Sequence, residues 1–310
     1  MAIPATGVAP SVEDLARRDR KPSVTSRPRK AKITLWSVIK TLLFYAMLIF
    51  LAVGMLLPFL WMITTSLEPP GTAFSYPPKI LPTTFDLTSY RQLFTLVPFA
   101  RYFLNTLIVT AATVVGQTIF CSTAAYAFAR LQFIGRKALF ILFLATMMIP
   151  FQVTMIPLFL MVFQLGWVNT YFGLIGPGIS SAFGIFLLRQ AFLTIPRDYQ
   201  DAARIDGASE WTVFFRIFLP LTKPALATVG VFSFMGTWND LLWPLLVSRD
   251  EEHRTLELGL AYFNASASAF QQPNWPLMMA AAVVVLVPVL AVYIFAQRYF
   301  VAGISLSGVK

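Results

Sequence analysis

Six long apolar runs constrain this 310-residue chain more than any other feature, at about 36–66, 102–129, 138–164, 170–192, 222–247 and 277–299. A helix needs about 20 predominantly apolar residues to cross the hydrocarbon of a bilayer, and each run is long enough. No water is available there to bind backbone N–H and C=O groups, so a helix, which satisfies them internally, is the form such a run takes. Only 12% of the residues are charged, against about 25% in soluble domains. The expectation is an all-α integral membrane protein with six transmembrane helices.

Orientation follows from the basic residues in the connections. Eight fall in the first 32 positions, in RRDRK and RPRKAK, and Lys40 makes nine. On the same side come Arg130, Arg136 and Lys137, then Arg189, Arg197, Arg204, Arg216 and Lys223, and finally Arg298 and Lys310. The opposite connections hold only Lys79, Arg91, Arg101, Arg249 and Arg254. Nineteen against five puts the richer side, with both termini, in the cytoplasm by the positive-inside rule. Three regions result: a basic tail at 1–35, the six-helix domain at 36–300, and a cytoplasmic C-terminal tail at 301–310. The first tail is rich in Pro, Ser and charge, a composition that does not build a folded core. The net charge of +10 is concentrated there, which argues for membrane orientation rather than a nucleic-acid partner. The run after Trp36 is too long for the core of a cleavable signal. The external connection at 67–100 carries EPPGTAFSYPPKILPTTF, which proline keeps extended or turned. Residues 248–276 form the second external loop.

Chemistry is scarce. Cys121 is the only cysteine and His253 the only histidine, so no internal disulfide exists and common transition-metal sites are nearly excluded. Cys121, inside an apolar run, reads as a small hydrophobe. His253 stands among Arg249, Asp250, Glu251 and Glu252, the setting of a solvated loop histidine. No paired acids or Ser/Lys constellation lies in the spans, so the chain is not expected to be an enzyme. It carries no G-x-x-x-x-G-K-[ST] phosphate loop and cannot hold ATP by that device.

The exception to the apolar pattern is DYQDAARIDGASEWTVFFRIFLPLTKP, residues 198–224, within a cytoplasmic loop at about 193–222. Pro196 suits the start of a helix. Asp198 and Asp201 suit the positive end of its dipole, and Asp201 and Arg204 are spaced to pair. Gly207 ends or bends this helix. Ala202, Ala203 and Ala208 keep it slim, so another surface can come close. Ser209 can cap a second helix opened by Glu210, in which Trp211, Phe214, Phe215 and Phe218 recur at helical spacing. Leu219-Pro220 then turns the chain toward the fifth run. Physics alone leaves two readings equally open: a charged interfacial connection, or a docking helix with a glycine bend.

The spacing resembles the cytoplasmic loop of ABC importer membrane subunits, whose pattern is Glu-Ala-Ala, three residues, Gly, nine residues, Ile-x-Leu-Pro. Here Asp201-Ala202-Ala203 is followed by three residues and Gly207, then nine residues and Ile217-Phe218-Leu219-Pro220. Asp201 replaces Glu, keeping the charge and shortening the reach by one methylene. LPLTKPALATVGVFSFMGTWNDLLWPL, NTLIVT at 105–110, AAYAFARLQFIGRK at 124–137 and QRYFVAGISLSGVK at 297–310 resemble the carbohydrate-uptake branch, of the maltose-transporter second-permease type. The resemblance implies a type I importer permease fold in the bacterial or archaeal cytoplasmic membrane. Asp201, Ala202, Ala203, Arg204, Asp206, Gly207 and Ala208 would engage one subunit of an ATP-binding dimer. ATP and magnesium would sit on that partner, with no cofactor in this chain. A second permease, an external solute-binding protein and a sugar complete the implied set of partners.

Polar groups at membrane depth are costly and tend to mark function. Asp240, with Trp238 and Asn239, is a candidate pathway or gate group; pairing within a structural motif is the competing reading. Asn105, Gln117, Gln152 and Gln164 are weaker candidates. Pro150 and Pro157 imply a kinked third span, and Gly173, Gly176, Pro177, Gly178 and Gly184 a kinked fourth. An importer of glycerol phosphate or another polyol would share this architecture, but a phosphate solute calls for basic residues at depth. An ion-coupled secondary transporter would want several intramembrane carboxylates or broken-helix ion sites, and would leave the 198–224 loop unexplained.

Overall fold

The computed structural model describes residues 35–69, 85–270 and 274–307. The tail at 1–34, the proline-rich segment 70–84 and residues 308–310 of the C-terminal tail lie outside the described residues, so the expectations for them have no counterpart here. The described residues contain helices, turns and bends but no strand. The helices are α1 (Leu35–Ser66), α2 (Thr88–Leu96), α3 (Phe99–Arg130), α4 (Arg136–Thr146), α5 (Phe151–Gln164), α6 (Tyr171–Ile175), α7 (Ala182–Thr194), α8 (Asp198–Ile205), α9 (Glu210–Val213), α10 (Lys223–Trp238), α11 (Leu242–Val247), α12 (Leu256–Phe270) and α13 (Trp275–Ser307). The chain divides into two compact units at Leu56, and every contact below lies in the second, Leu57–Lys310.

Among the described residues, α1, α3 and α13 are long and apolar enough to cross a membrane unbroken, over Val38–Ser66, Phe99–Arg130 and Trp275–Arg298. The other three apolar runs are bent pairs. α4 and α5 meet at 103°, the α6 segment meets α7 at 41°, and Glu210–Leu221 meets α10 at 80°. The first of these is a break rather than the expected kink. Pro150 stands in front of α5 with ψ of 140°. It has no N–H to continue α4, and it disfavours helical geometry at Ile149. Pro157 lies inside α5 without ending it. In the fourth run, Ser181 restarts the helix by accepting the Gly184 N–H on its hydroxyl at 3.2 Å. The connections also hold more helix than their proline suggested: α2 lies in the connection at 67–100 and α12 in the connection at 248–276.

α3 is the axis of the second unit, packing along α7 and α10. A Cβ at Gly184 of α7 would stand 3.0 Å from Cys121 Sγ of α3 and 3.4 Å from Val229 of α10, so a larger residue there would have to push these neighbours aside by a few tenths of an ångström. Around it lie Ala125, Tyr126, Ile185, Leu188, Phe192, Val213, Phe214 and Phe218. A second cluster joins Leu93, Phe99, Tyr102, Trp238, Leu256 and Leu277. In lipid the hydrophobic effect does not drive helices together, so close packing and hydrogen bonds carry this association. For the same reason the exposed Ile141, Leu142, Val153 and Leu160 of α4 and α5 need no covering by protein.

Candidate functional site

α8 is a two-turn helix that touches the rest of the chain along one edge. Gln200 is buried, while Asp198, Tyr199, Asp201, Ala202, Arg204, Ile205, Asp206 and Gly207 are exposed. Ile205 is 87% exposed. The helix ends in a Schellman closure: the Ala208 N–H donates to Ala203 O at 2.9 Å and the Gly207 N–H to Arg204 O at 3.0 Å. Gly207 takes φ of +77°, which glycine adopts without the cost a Cβ brings. A Cβ there would meet nothing within 4 Å, so any side chain at 207 points away from this chain.

The glycine reversal brings Glu210 back over α8. Glu210 Oε1 accepts from Arg204 Nε at 2.8 Å. Its Oε2 accepts from the Tyr126 hydroxyl of α3 at 2.6 Å and from Gln200 Nε2 at 3.4 Å. The expected Asp201–Arg204 pair is therefore replaced by Arg204–Glu210, because a planar guanidinium gains more from two donors on one carboxylate oxygen than from an open helical pair. Glu210 lies outside the fifth apolar run. Partial burial is the largest single influence on its carboxyl and pushes its pKa up, but hydrogen bonds from Tyr126, Arg204 and Gln200 hold it below the ordinary carboxylate value. The hydrogen bond to Glu210 raises Arg204 in turn.

Beyond α9 the backbone widens into a π turn at Phe214–Phe218. Phe214 and Phe218 are buried, while Trp211 and Phe215 stack on each other at the surface. The Tyr126 ring meets Phe214 and Phe218 at 5.2 Å and Phe192 of α7 at 6.2 Å. Arg130, ending α3, donates to the carbonyls of Phe192 and Ile195 where α7 ends, and Phe192 O also accepts the Ile195 N–H. It also lies 4.7 Å over the Phe218 ring. Leu219 and Pro220 form the single turn ahead of the 80° bend into α10.

Trp238, Asn239 and Asp240 separate in space. Trp238 is buried and stacks on Phe234 at 5.4 Å. Asn239 caps its own helix through Met235 O at 2.8 Å and faces a cavity of about 480 Å³ shared with Glu257, Met278 and Met279. Asp240 accepts the Trp243 N–H at 3.3 Å, closing the start of α11. It also lines a different, polar cavity of about 370 Å³ with Gln117, Ser181, Ser233 and Thr237. Asp240 thus has a structural bond and a face toward open space. Gln117 spends its amide on Gly178 O at 2.9 Å. Gln152 is exposed near the start of α5 and Gln164 is the last residue of that helix.

The loop at 248–256 is held by a network of hydrogen bonds. Buried Asn105 donates to the carbonyls of Glu252 and Arg254 at 2.7 and 2.9 Å and accepts from the Tyr171 hydroxyl at 2.6 Å. Asn169, at φ +62°, accepts the Arg249 N–H at 3.0 Å and donates to Asp250. His253 bonds Asp250 at 3.0 Å and packs edge-on against Tyr171 at 5.4 Å, correcting the expectation of a free solvated ring.

The family model described as "Binding-protein-dependent transport system inner membrane component" matches residues 117–306, from the middle of α3 through the loop to α13. The chain belongs to this family. Among its relatives is the arabinooligosaccharides transport system permease protein AraQ of Halalkalibacterium halodurans, 38% identical over 74% of this chain and 81% of the relative. The diacetylchitobiose uptake system permease protein NgcG of Streptomyces coelicolor is 33% identical over 84% of this chain and 86% of its own length. The fold is similar to a chain in the crystal structure of a bacterial ABC transporter involved in the import of the acidic polysaccharide alginate. That match has a TM-score of 0.76 at 27% identity, over 86% of this chain and 98% of the other. This permease is therefore a transport subunit of the inner membrane.

In the permease, three groups carry more than their local sequence indicated. Glu210 reads as a first-turn acid after a capping serine, yet it joins α8 to α3. Tyr126, 84 residues away from it, reads as one aromatic among many. Glu257 is half-buried, its pKa raised by burial alone, and nothing in the spacing of α12 singles it out.

Proposed function

We propose that the chain is one of two permease subunits of an ATP-driven importer for a sugar or oligosaccharide. Six spans, both ends in the cytoplasm and a multi-pass place in the bacterial or archaeal membrane fit the charge asymmetry. α8 and its reversal, Asp201 to Ala208, form the docking element for an ATP-hydrolysing partner, which holds the nucleotide and magnesium. The supporting observation is an exposed helix closed by a positive-φ glycine with open space over it. A surface free on its outer side and pinned on its inner side suits insertion into a cleft. The loop at 248–256 faces the external solute-binding protein, and the Asp240 cavity is a stretch of the solute path. The relatives' substrates, arabinooligosaccharides and diacetylchitobiose, favour a sugar.

A glycerol phosphate importer is the second reading, since the sn-glycerol-3-phosphate permease UgpE of Rhizobium meliloti is 36% identical over 67% of this chain. The Asp240 cavity has a carboxylate and no Lys or Arg in its lining, which disfavours a phosphate. The test is uptake of labelled oligosaccharides and of glycerol phosphate by vesicles holding the co-purified complex, with native and Gly207→Trp chains. Oligosaccharide uptake that Gly207→Trp abolishes, with the chain still in the membrane, is expected. Normal uptake and solute-stimulated ATP hydrolysis by Gly207→Trp would sink the docking reading.

A further inference from the structure

The docking reading leaves open how movement of α8 reaches the membrane helices. α8 is short, and most of its surface is free. On its own side it is held by buried Gln200, by Arg204 and by the Schellman closure. Both side chains end on Glu210, and Glu210 accepts from the Tyr126 hydroxyl of α3. A single carboxylate thus joins the exposed helix to the axis of the fold. One oxygen faces α8, and the other takes Tyr126 and Gln200 together.

The groups around this junction divide into two kinds. The rings of Tyr126, Phe192, Phe214 and Phe218 fill volume between α3, α7 and the π turn, and their contacts tolerate sliding. The Tyr126–Glu210 bond does not. A charge-assisted bond is short and directional, and at 2.6 Å it holds α9 at one register along α3. Arg130 stands one helical turn further along α3 and binds the end of α7. Displacement of α3 at Tyr126 therefore reaches α7 through the next turn.

We infer that Glu210 and Tyr126 are positioning residues that form the strut transmitting displacement of α8 to α3, with Arg130 passing it to α7. Resting on the docking reading, this assigns to one residue in the spacer of the 201–220 loop pattern and one on α3 the conversion of ATPase closure into movement of the solute path. Docking itself belongs to the outer face of α8. Transmission and docking are then separable: losing the strut leaves the ATPase bound and hydrolysing while solute movement fails.

The experiment measures solute taken up per ATP hydrolysed in proteoliposomes of the whole co-purified complex. The variants are Tyr126→Phe, Glu210→Gln and Glu210→Ala. Tyr126→Phe removes one hydroxyl and keeps the ring packing. Glu210→Gln keeps an acceptor for Tyr126 and loses the charge. The expected result is an uptake-to-ATP ratio lowered about tenfold in Tyr126→Phe and Glu210→Ala, the scale of one lost bond to a charged group, and lowered less in Glu210→Gln. ATPase stoichiometry in the complex is expected to stay at the native level. A purely structural role would reduce complex yield, uptake and hydrolysis together and leave the ratio alone. An unchanged ratio in all three variants overturns the inference. So does loss of the ATPase from the Tyr126→Phe complex, which would make the tyrosine part of docking. Failure of docking itself reads differently: the ATPase would be retained and normally coupled in Gly207→Trp.

Discussion

Gly207 and Asp250 show how much a single backbone angle or carboxylate can hold. At φ +77° a Cβ carries a steric cost of about 1–2 kcal/mol even with open space around it. Gly207→Ala is therefore expected to lower the unfolding free energy of the purified chain by about that amount, and Gly207→Asn by less, since asparagine visits this region more readily. Thermal unfolding in detergent reads both. Asp250 is partly exposed. Burial, the largest influence on its carboxyl, raises its pKa, but bonds from Asn169 and His253 outweigh it and leave the value lowered. A folded pKa below the unfolded one means its contribution is present above the ordinary carboxylate value and is lost as pH falls through the folded one. Hydrogen-exchange protection at 248–253 should therefore decline on acidification below about pH 4, and this decline should be smaller in Asn169→Ala, where only the His253 contacts remain. Protection unchanged down to pH 3 in the native chain would contradict the loop assignment. The glycine was legible in sequence because its conformational need is local. The Asp250–Asn169 contact was not, since its partners stand 81 residues apart.

Among the elements, the break between α4 and α5 departs most from the sequence reading. A kink was expected from Pro150 and Pro157, and the angle is 103°. The difference lies in where the prolines stand. Pro157 is inside α5 and leaves the helix running, whereas Pro150 follows a turn closed by Met147, Met148 and Ile149 N–H groups on Leu144, Ala145 and Thr146 carbonyls. Those bonds tighten the end of α4 before the proline is reached. Pro150→Ala restores an N–H and frees Ile149 but leaves those three turn bonds in place, so it is expected to keep the two helices well apart in angle. Spin labels at Leu139 and Leu160 should report nearly the same distance in both forms; a continuous-helix distance in Pro150→Ala would show that the proline alone makes the break. The amphipathic reading of 210–218 held in part: 3.6-residue periodicity puts Trp211, Phe214, Phe215 and Phe218 on one face, but only packing against α3 and α7 decides that Phe214 and Phe218 are buried while Trp211 and Phe215 stay exposed.

For the whole molecule, the open quantity is topology. Cys121 is buried and is the only cysteine, so Cys121→Ala provides a background for single-cysteine labelling. Small substitutes suit the site, since Gly184 lies against it. A cysteine at Glu251 is expected to react with a membrane-impermeant maleimide added outside intact cells, and one at Asp206 only after the membrane is opened. The reverse pattern would invert the orientation drawn from nineteen basic residues against five.

Hydropathy and turn chemistry act over a few residues, so the sequence by itself determined the membrane class, the six apolar runs and the site of the glycine reversal at 207. The tertiary structure alone decided that Arg204 pairs with Glu210 rather than Asp201, that Tyr126 reaches Glu210, that Asn239 and Asp240 face different cavities, and that His253 packs on Tyr171. Except for Arg204, each of those outcomes depends on how elements tens of residues apart in the chain pack together, and helix packing is set by whole side-chain surfaces. Arg204 is the local exception, six residues from its partner. There the left-handed glycine between them reversed the chain and brought the Glu210 carboxylate within reach of Arg204.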